Sequence, residues 1–218
     1  MKRIVVIFLI VLFAVVSCDS VNEIKEAGKE VRKAVDESGK LKSAAENVKE
    51  GADAVKGMNA EDIEKPVLNN DDVFVYFSEL KKATQKYPDI DFYSATTAAI
   101  QAGTQGLNLK DIIERETTLT FKKYSQTSAL LLTAQAESQG LSMQEDMLKS
   151  MKEGKKNAEE QVDVEKLSEE EKEKYLNQME QLNKTIEETE KELQSENAER
   201  IRKNMQIIEE AKEKAGIE

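Results

Sequence analysis

The stretch "NLKDIIERETTLTFKKYSQTSALLLTAQAESQG", Asn108 to Gly140, decides the fold class. Asn108 has the short polar side chain that accepts hydrogen bonds from the free N–H groups of a first helical turn. Behind it Leu109, Ile112, Ile113, Leu119, Phe121, Tyr124, Leu130, Leu131 and Ala134 recur mostly at helical spacings. That period belongs to a helix and not to a strand, whose side chains alternate. The pattern predicts one long helix starting after Asn108 and stopping at Gly140.

Two shorter helices are predicted upstream. Asn70, Asp71 or Asp72 can cap a helix carrying Val73, Phe74, Tyr76, Phe77, Leu80 and Ala83, which Pro88 stops. Asp89 or Asp91 can cap a second through Phe92, Ala95, Ala99 and Ile100, ending at Gly103. Three helices with short connections predict an antiparallel bundle, the central domain over residues 66–151. Of the eleven aromatic residues, eight lie between Phe74 and Tyr124, so this is where a core can be built.

Downstream, Ser142-Met-Gln-Glu145 and Ser168-Glu-Glu-Glu171 have the form of capping boxes, and a helix restart is expected at each. From Tyr175 to Ile208 apolar residues come about once per turn, and residues 152–218 hold twenty acidic and thirteen basic residues. Such a narrow stripe suits a helical hairpin or coiled-coil-like arm. The stripe breaks near Glu196 and Asn197, which favours an arm folded on its own chain, with self-association left open.

Upstream of the bundle, residues 18–65 carry a thin helical stripe including Val21, Ile24, Gly28, Val31, Val35, Ala45, Val48 and Ala52. Four glycines weaken that helix, each by up to about 1 kcal/mol against Ala. A helical stalk or linker is expected, with packing on the C-terminal helix as another arrangement. The expected fold is all-α: stalk, small bundle, long charged C-terminal helices.

Composition supports this class and excludes several functions. With 34% charged, 39% hydrophobic and 5% aromatic residues, nine Gly and two Pro, the chain suits helices better than a turn-rich β-protein. The formal charge of −11 has the wrong sign for nucleic acid. There is no histidine, which excludes Ser-His-Asp and Cys-His catalysis and His-ligated metals.

Lys2 and Arg3 precede the apolar run Ile4 to Val16, the pattern of an export signal over residues 1–17. The helix would be roughly 20 Å long, against a hydrocarbon core of about 30 Å. The single cysteine of the chain, Cys18, follows directly in Val15-Val16-Ser17-Cys18. This segment resembles the lipobox of bacterial lipoproteins, although Val15 stands where Leu is commonest. The resemblance implies cleavage between Ser17 and Cys18, a diacylglyceryl thioether on Cys18, N-acylation such as palmitate, and a cell-envelope location. Loss of Lys2 and Arg3 would take the formal charge to −13. Asp19 matches the inner-membrane retention signal of enteric bacteria, while the relaxed lipobox before a charged helical body is similar to spirochaete surface lipoproteins. A periplasmic and an outer-surface site therefore both stay open.

Other motifs have plainer explanations. Ser78-Glu-Leu-Lys81 matches the S-x-x-K of penicillin-binding proteins, but no S-D-N or K-T-G accompanies it. Gly103-Thr-Gln-Gly106 has the form of a KH-type GXXG loop, yet an acidic chain lacks the positive potential such a loop needs, and a helix cap plus turn accounts for both glycines. Asn69-Asn-Asp-Asp72 and Asp89-Ile-Asp91 lack calcium-loop spacing and read as caps. No metal, cofactor or catalytic residue is expected, and no enzyme.

Tyr76, Tyr87, Phe92 and Tyr93 surround the connection after the first bundle helix; most are expected in the core, and they are the candidate protein-binding residues should that cluster be exposed. The expected role is a membrane-anchored envelope lipoprotein with a structural, adhesive or protein-binding function. The other reading is a periplasmic ligand carrier, or an accessory subunit of an envelope complex, with a groove in the central bundle.

Overall fold

A computed structural model describes residues 39–217, and every regular element among them is helical. The α-helices are α1 (Gly39–Val55), α2 (Ala60–Glu64), α3 (Asn70–Lys86), α4 (Ala95–Thr104), α5 (Leu109–Glu116), α6 (Phe121–Gln161), α7 (Glu169–Leu193) and α8 (Glu196–Ala215), with a 3-10 turn at Val164–Lys166. The all-α fold is as the periodicity predicts. The described residues form two compact units: residues 39–133 with 207–217, and residues 134–206.

In the first unit, α1 packs on α4. A Cβ on Gly103 would lie 2.2 Å from the Cα, 2.3 Å from the nitrogen and 2.7 Å from the Cβ of Ala44. Only glycine fits there. One turn along α1, Asn47 is buried, and its amide donates to the carbonyls of Ala99 (3.2 Å) and Leu107 (3.0 Å). Its oxygen accepts from the Leu109 N–H (3.2 Å), one of the free donors at the start of α5. Residues 39–55, expected as part of a stalk or linker, are thus a layer of this unit. The close approach is made at Ala44, one position off the expected stripe, whose Ala45, Val48 and Ala52 are only half-buried. Residues 18–38 lie outside the described residues.

Gly103 is also not the end of its helix. The chain closes on Gly106, at φ 74°, with Leu107 N–H bonding the Ala102 carbonyl and Gly106 N–H the Gly103 carbonyl. This is a Schellman closure, which favours glycine at the left-handed position. The caps shift in the same way. Asn69, not the three residues after it, caps α3, and Ser94, not Asp89 or Asp91, caps α4, while Asn108 caps α5 as expected.

The single long helix expected from Asn108 is two helices, because Thr117 to Thr120 divert the backbone. Thr117 Oγ1 donates to the Ile113 carbonyl and accepts from Leu119 N–H, Thr118 N–H goes to Glu79, and Thr120 Oγ1 accepts from Lys123 N–H. Threonine hydroxyls here compete for the groups a helix would use. Gly140 and Ser142, expected as stop and restart, lie inside α6. Leu141 keeps the helix going by burying itself with Leu193, Ala198 and Ile201.

The core of the first unit holds Val73, Tyr76, Leu80, Ile90, Phe92, Leu109, Ile113, Tyr124 and, from the end of α8, Ile208 and Ala211. Each large side chain among them contributes about 1.5–3 kcal/mol by leaving water. In the second unit α7 returns along α6, with Lys152 on Glu190. The Ser168–Glu171 capping box forms at the start of α7. The stripe break falls at a turn, where Ser195 Oγ accepts from Ala198 N–H. Arg200 grips Glu137 through both guanidinium nitrogens, and Arg202 joins Glu145 to the last carbonyl of α7 at Leu193.

Gly103→Val is expected to destabilise the chain by about 3 kcal/mol in urea unfolding, as overpacked positions do. Ala44→Gly on that background will not restore it, because two of the three clashing atoms are backbone. Asn47→Leu, which strands two carbonyls and an N–H, should cost about 2–4 kcal/mol in the same measurement.

Candidate functional site

Cys18 and Ser17 lie outside the described residues, so what the structure places are the sites named on the helical body. The aromatic group after α3 is the first. Tyr76 and Phe92 are fully buried, and Tyr87 and Tyr93 are half-buried. An exposed four-ring cluster is therefore not what the chain builds. Tyr76 stacks on Tyr124 with centroids 5.9 Å apart and planes 13° apart, and Phe77 meets Tyr76 edge-on at 5.5 Å. Both buried hydroxyls find the Phe92–Tyr93 connection: Tyr124 donates to the Phe92 carbonyl at 3.0 Å and Tyr76 to the Tyr93 carbonyl at 3.5 Å. The two tyrosines pin that connection from inside, in the manner expected of buried phenols.

Burial pushes both phenols well above the ordinary tyrosine range; for Tyr76 a bond with Ser128 works against this, and for Tyr124 the neighbouring Tyr76 adds to it. Tyr93 is raised too, again mainly by burial. Tyr87 turns outward and accepts a hydrogen bond from Arg115. Arg115 also binds Glu116, which Lys86 and Arg115 hold below the usual carboxylate range. These contacts, with Lys86 on Glu116, tie α3 to α5.

The S-x-x-K pair is not assembled. Ser78 Oγ donates to the Val75 carbonyl of its own helix, while Lys81 Nζ donates to the carbonyls of Ala215 (2.9 Å) and Gly216 (3.0 Å). The ammonium closes the end of α8, where unpaired carbonyls and the helix dipole favour a cation. Glu79, between the two, is a tie. Burial alone would raise its carboxyl, but bonds from Lys82 and the Thr118 N–H outweigh that and leave it lowered. Asp91 accepts from Tyr93 N–H in a local turn. Among the described residues no group of three acidic or sulfur side chains could hold a metal.

The feature that sequence reading missed lies in the second unit. Met143 and Met147, one turn apart on α6, are 73% and 51% exposed. The signal in the sequence is Met at i and i+4, a spacing that sets both on one helix face. A shallow, open depression on α7, lined by Glu170, Glu173, Lys174 and Gln181 among others, is a charged surface with no group set apart for chemistry. Exposed thioether side chains on a rigid helix suit binding of another apolar surface.

No protein-family model, curated protein or solved structure matches this chain.

Burial of the phenols gives a measurable pH effect. A phenol whose ionisation is raised in the folded state adds stability that is whole below about pH 10 and fades as pH climbs toward the folded value. Ultraviolet titration of the native protein should show delayed ionisation of Tyr76 and Tyr124, released together on alkaline unfolding. Tyr124→Phe should remove one delayed step, whereas immediate ionisation of all five tyrosines would contradict the buried placement.

Proposed function

We propose that this chain is a lipid-anchored envelope protein of the bacterial lipoprotein type, held by acyl chains on Cys18 and displaying a helical body that binds protein. One observation carries the anchor: the chain's single cysteine stands directly behind Lys2-Arg3 and the apolar run to Val16, in a segment resembling a lipobox. At about 0.8 kcal/mol per buried CH₂, one acyl chain holds weakly and two or three hold durably. No helix among the described residues is long and apolar enough to cross a membrane. In this reading the acyl chains supply the hold on the bilayer.

A binding role is favoured over catalysis by the way polar side chains are spent. Ser78 bonds a carbonyl of its own helix, Lys81 closes the end of α8 and Glu79 ties a loop, and among the described residues these three form no nucleophile–base pair of the kind acyl-transfer chemistry needs. A carrier would need a groove in the bundle, and its interior positions are taken by Tyr76, Phe92, Tyr124, Leu80 and Ile113. Exposed Met143 and Met147 give the body an apolar face to offer instead.

Expression in a bacterium followed by mass spectrometry of the membrane fraction tests the anchor. The expected species begins at Cys18 and carries diacylglyceryl mass, and Cys18→Ser should leave an unprocessed chain without it. An unmodified Cys18, or a mature chain beginning elsewhere, would overturn the proposal.

A further inference from the structure

Just after Gly140, α6 divides its apolar residues by kind. Leu141 is buried with Leu193, Ala198 and Ile201, and Leu148 packs on the same cluster. Met143 and Met147 lie roughly 130° round the helix from those two leucines and are 73% and 51% exposed. The other described methionines, Met58, Met151, Met179 and Met205, are half-buried. Leucine and methionine support a helix about equally, so helix formation gives no reason for sulfur at the two outward positions. Nor does burial, which both side chains largely forgo.

What sets them apart is the chemistry of the thioether. Its sulfur gives up two electrons and takes one oxygen atom to become a sulfoxide, more readily the more open it is to solvent. Helical side chains lean toward the N-terminus, so Met143 lies over Gln139 and Gly140, and Met147 over Met143 and Gln144. Gly140 brings no side chain to shield the Met143 sulfur, and a Cβ added there would meet nothing within 4 Å. The two sulfurs share one open face, a turn apart.

We propose that Met143 and Met147 form a paired oxidation site, a sink for hypohalous acids that spares the half-buried methionines. In each step one thioether and one hypochlorous acid give one sulfoxide, one chloride and one proton. Sulfur is oxidised by two electrons, chlorine is reduced by the same two, and the oxygen of the acid ends on sulfur. Each chain thus consumes two equivalents. The new oxygens stand in water, so α6 keeps its packing. At a half-buried methionine the same oxygen would press against apolar neighbours, the change by which sulfoxides disrupt cores. The site rests on exposure in the free chain and holds with or without the binding reading.

The full chain carrying Cys18→Ser, so that no thiol competes, is titrated with hypochlorous acid in peroxide-free non-ionic detergent, and each sulfoxide is placed by peptide mass spectrometry. Met143 and Met147 are expected to react roughly tenfold faster than Met58, Met179 and Met205, with Met151 also behind them. After two equivalents, helical content and the urea midpoint should match those of the untreated chain. Met143→Leu with Met147→Leu should keep the fold and remove the sink, so that the same limited dose oxidises the half-buried methionines roughly twofold more. Uptake spread evenly over all the described methionines would overturn the proposal. So would a urea midpoint that falls once positions 143 and 147 are oxidised, or a folded leucine variant whose half-buried methionines are oxidised no more than the parent's.

Discussion

The approach of Gly103 to the backbone of Ala44 is the contact on which the first unit depends. It brings α1 close enough for Asn47 to reach the turn between α4 and α5, where its amide satisfies two carbonyls and one N–H. A backbone contact of this kind cannot be replaced by a larger apolar side chain. The buried amide, in turn, cannot be left without its partners except at the cost of stranded polar groups. Close packing and polar satisfaction are here one arrangement, and α5 begins where Asn47 places it.

The same economy appears at helix ends across the molecule. Lys81 takes the final carbonyls of α8, Arg202 takes that of α7, and Gly106 and Gly216 close α4 and α8 by turning left-handed. Charged side chains abound in this sequence, and many serve the backbone before they serve one another. Exposed ion pairs such as Lys156 with Glu160 add little beside these. Met143 and Met147 stand apart from these residues in being apolar and exposed on α6.

The helical class, the Asn108 cap, the capping box at Ser168 and the break near Glu196 could be read from spacing and cap chemistry alone, because they are local. The errors arose where distant contacts overrule local preference. Thr117 to Thr120 end α5 partly because Glu79, far back in the sequence, takes the Thr118 N–H. Gly140 does not end α6, because Leu141 has partners in α7 and α8. Tyr76 and Phe92 are core residues, as expected for most of that aromatic group, and what the fold adds is that the connection is pinned from within by Tyr76 and Tyr124. Gly103, expected only as a helix end, and Ala44 are the condition for packing α1 on α4.

The first unit is discontinuous in sequence. Residues 134–206 are inserted into it, and the bond from Lys81 to Ala215 spans 134 positions. During synthesis the chain reaches the ribosome exit in order, so the second unit can fold while the first still lacks Ile208 and Ala211 and exposes the surface they will cover. An emerging chain thus has a long interval with an open core, ended by the arrival of the segment from residue 207 onward.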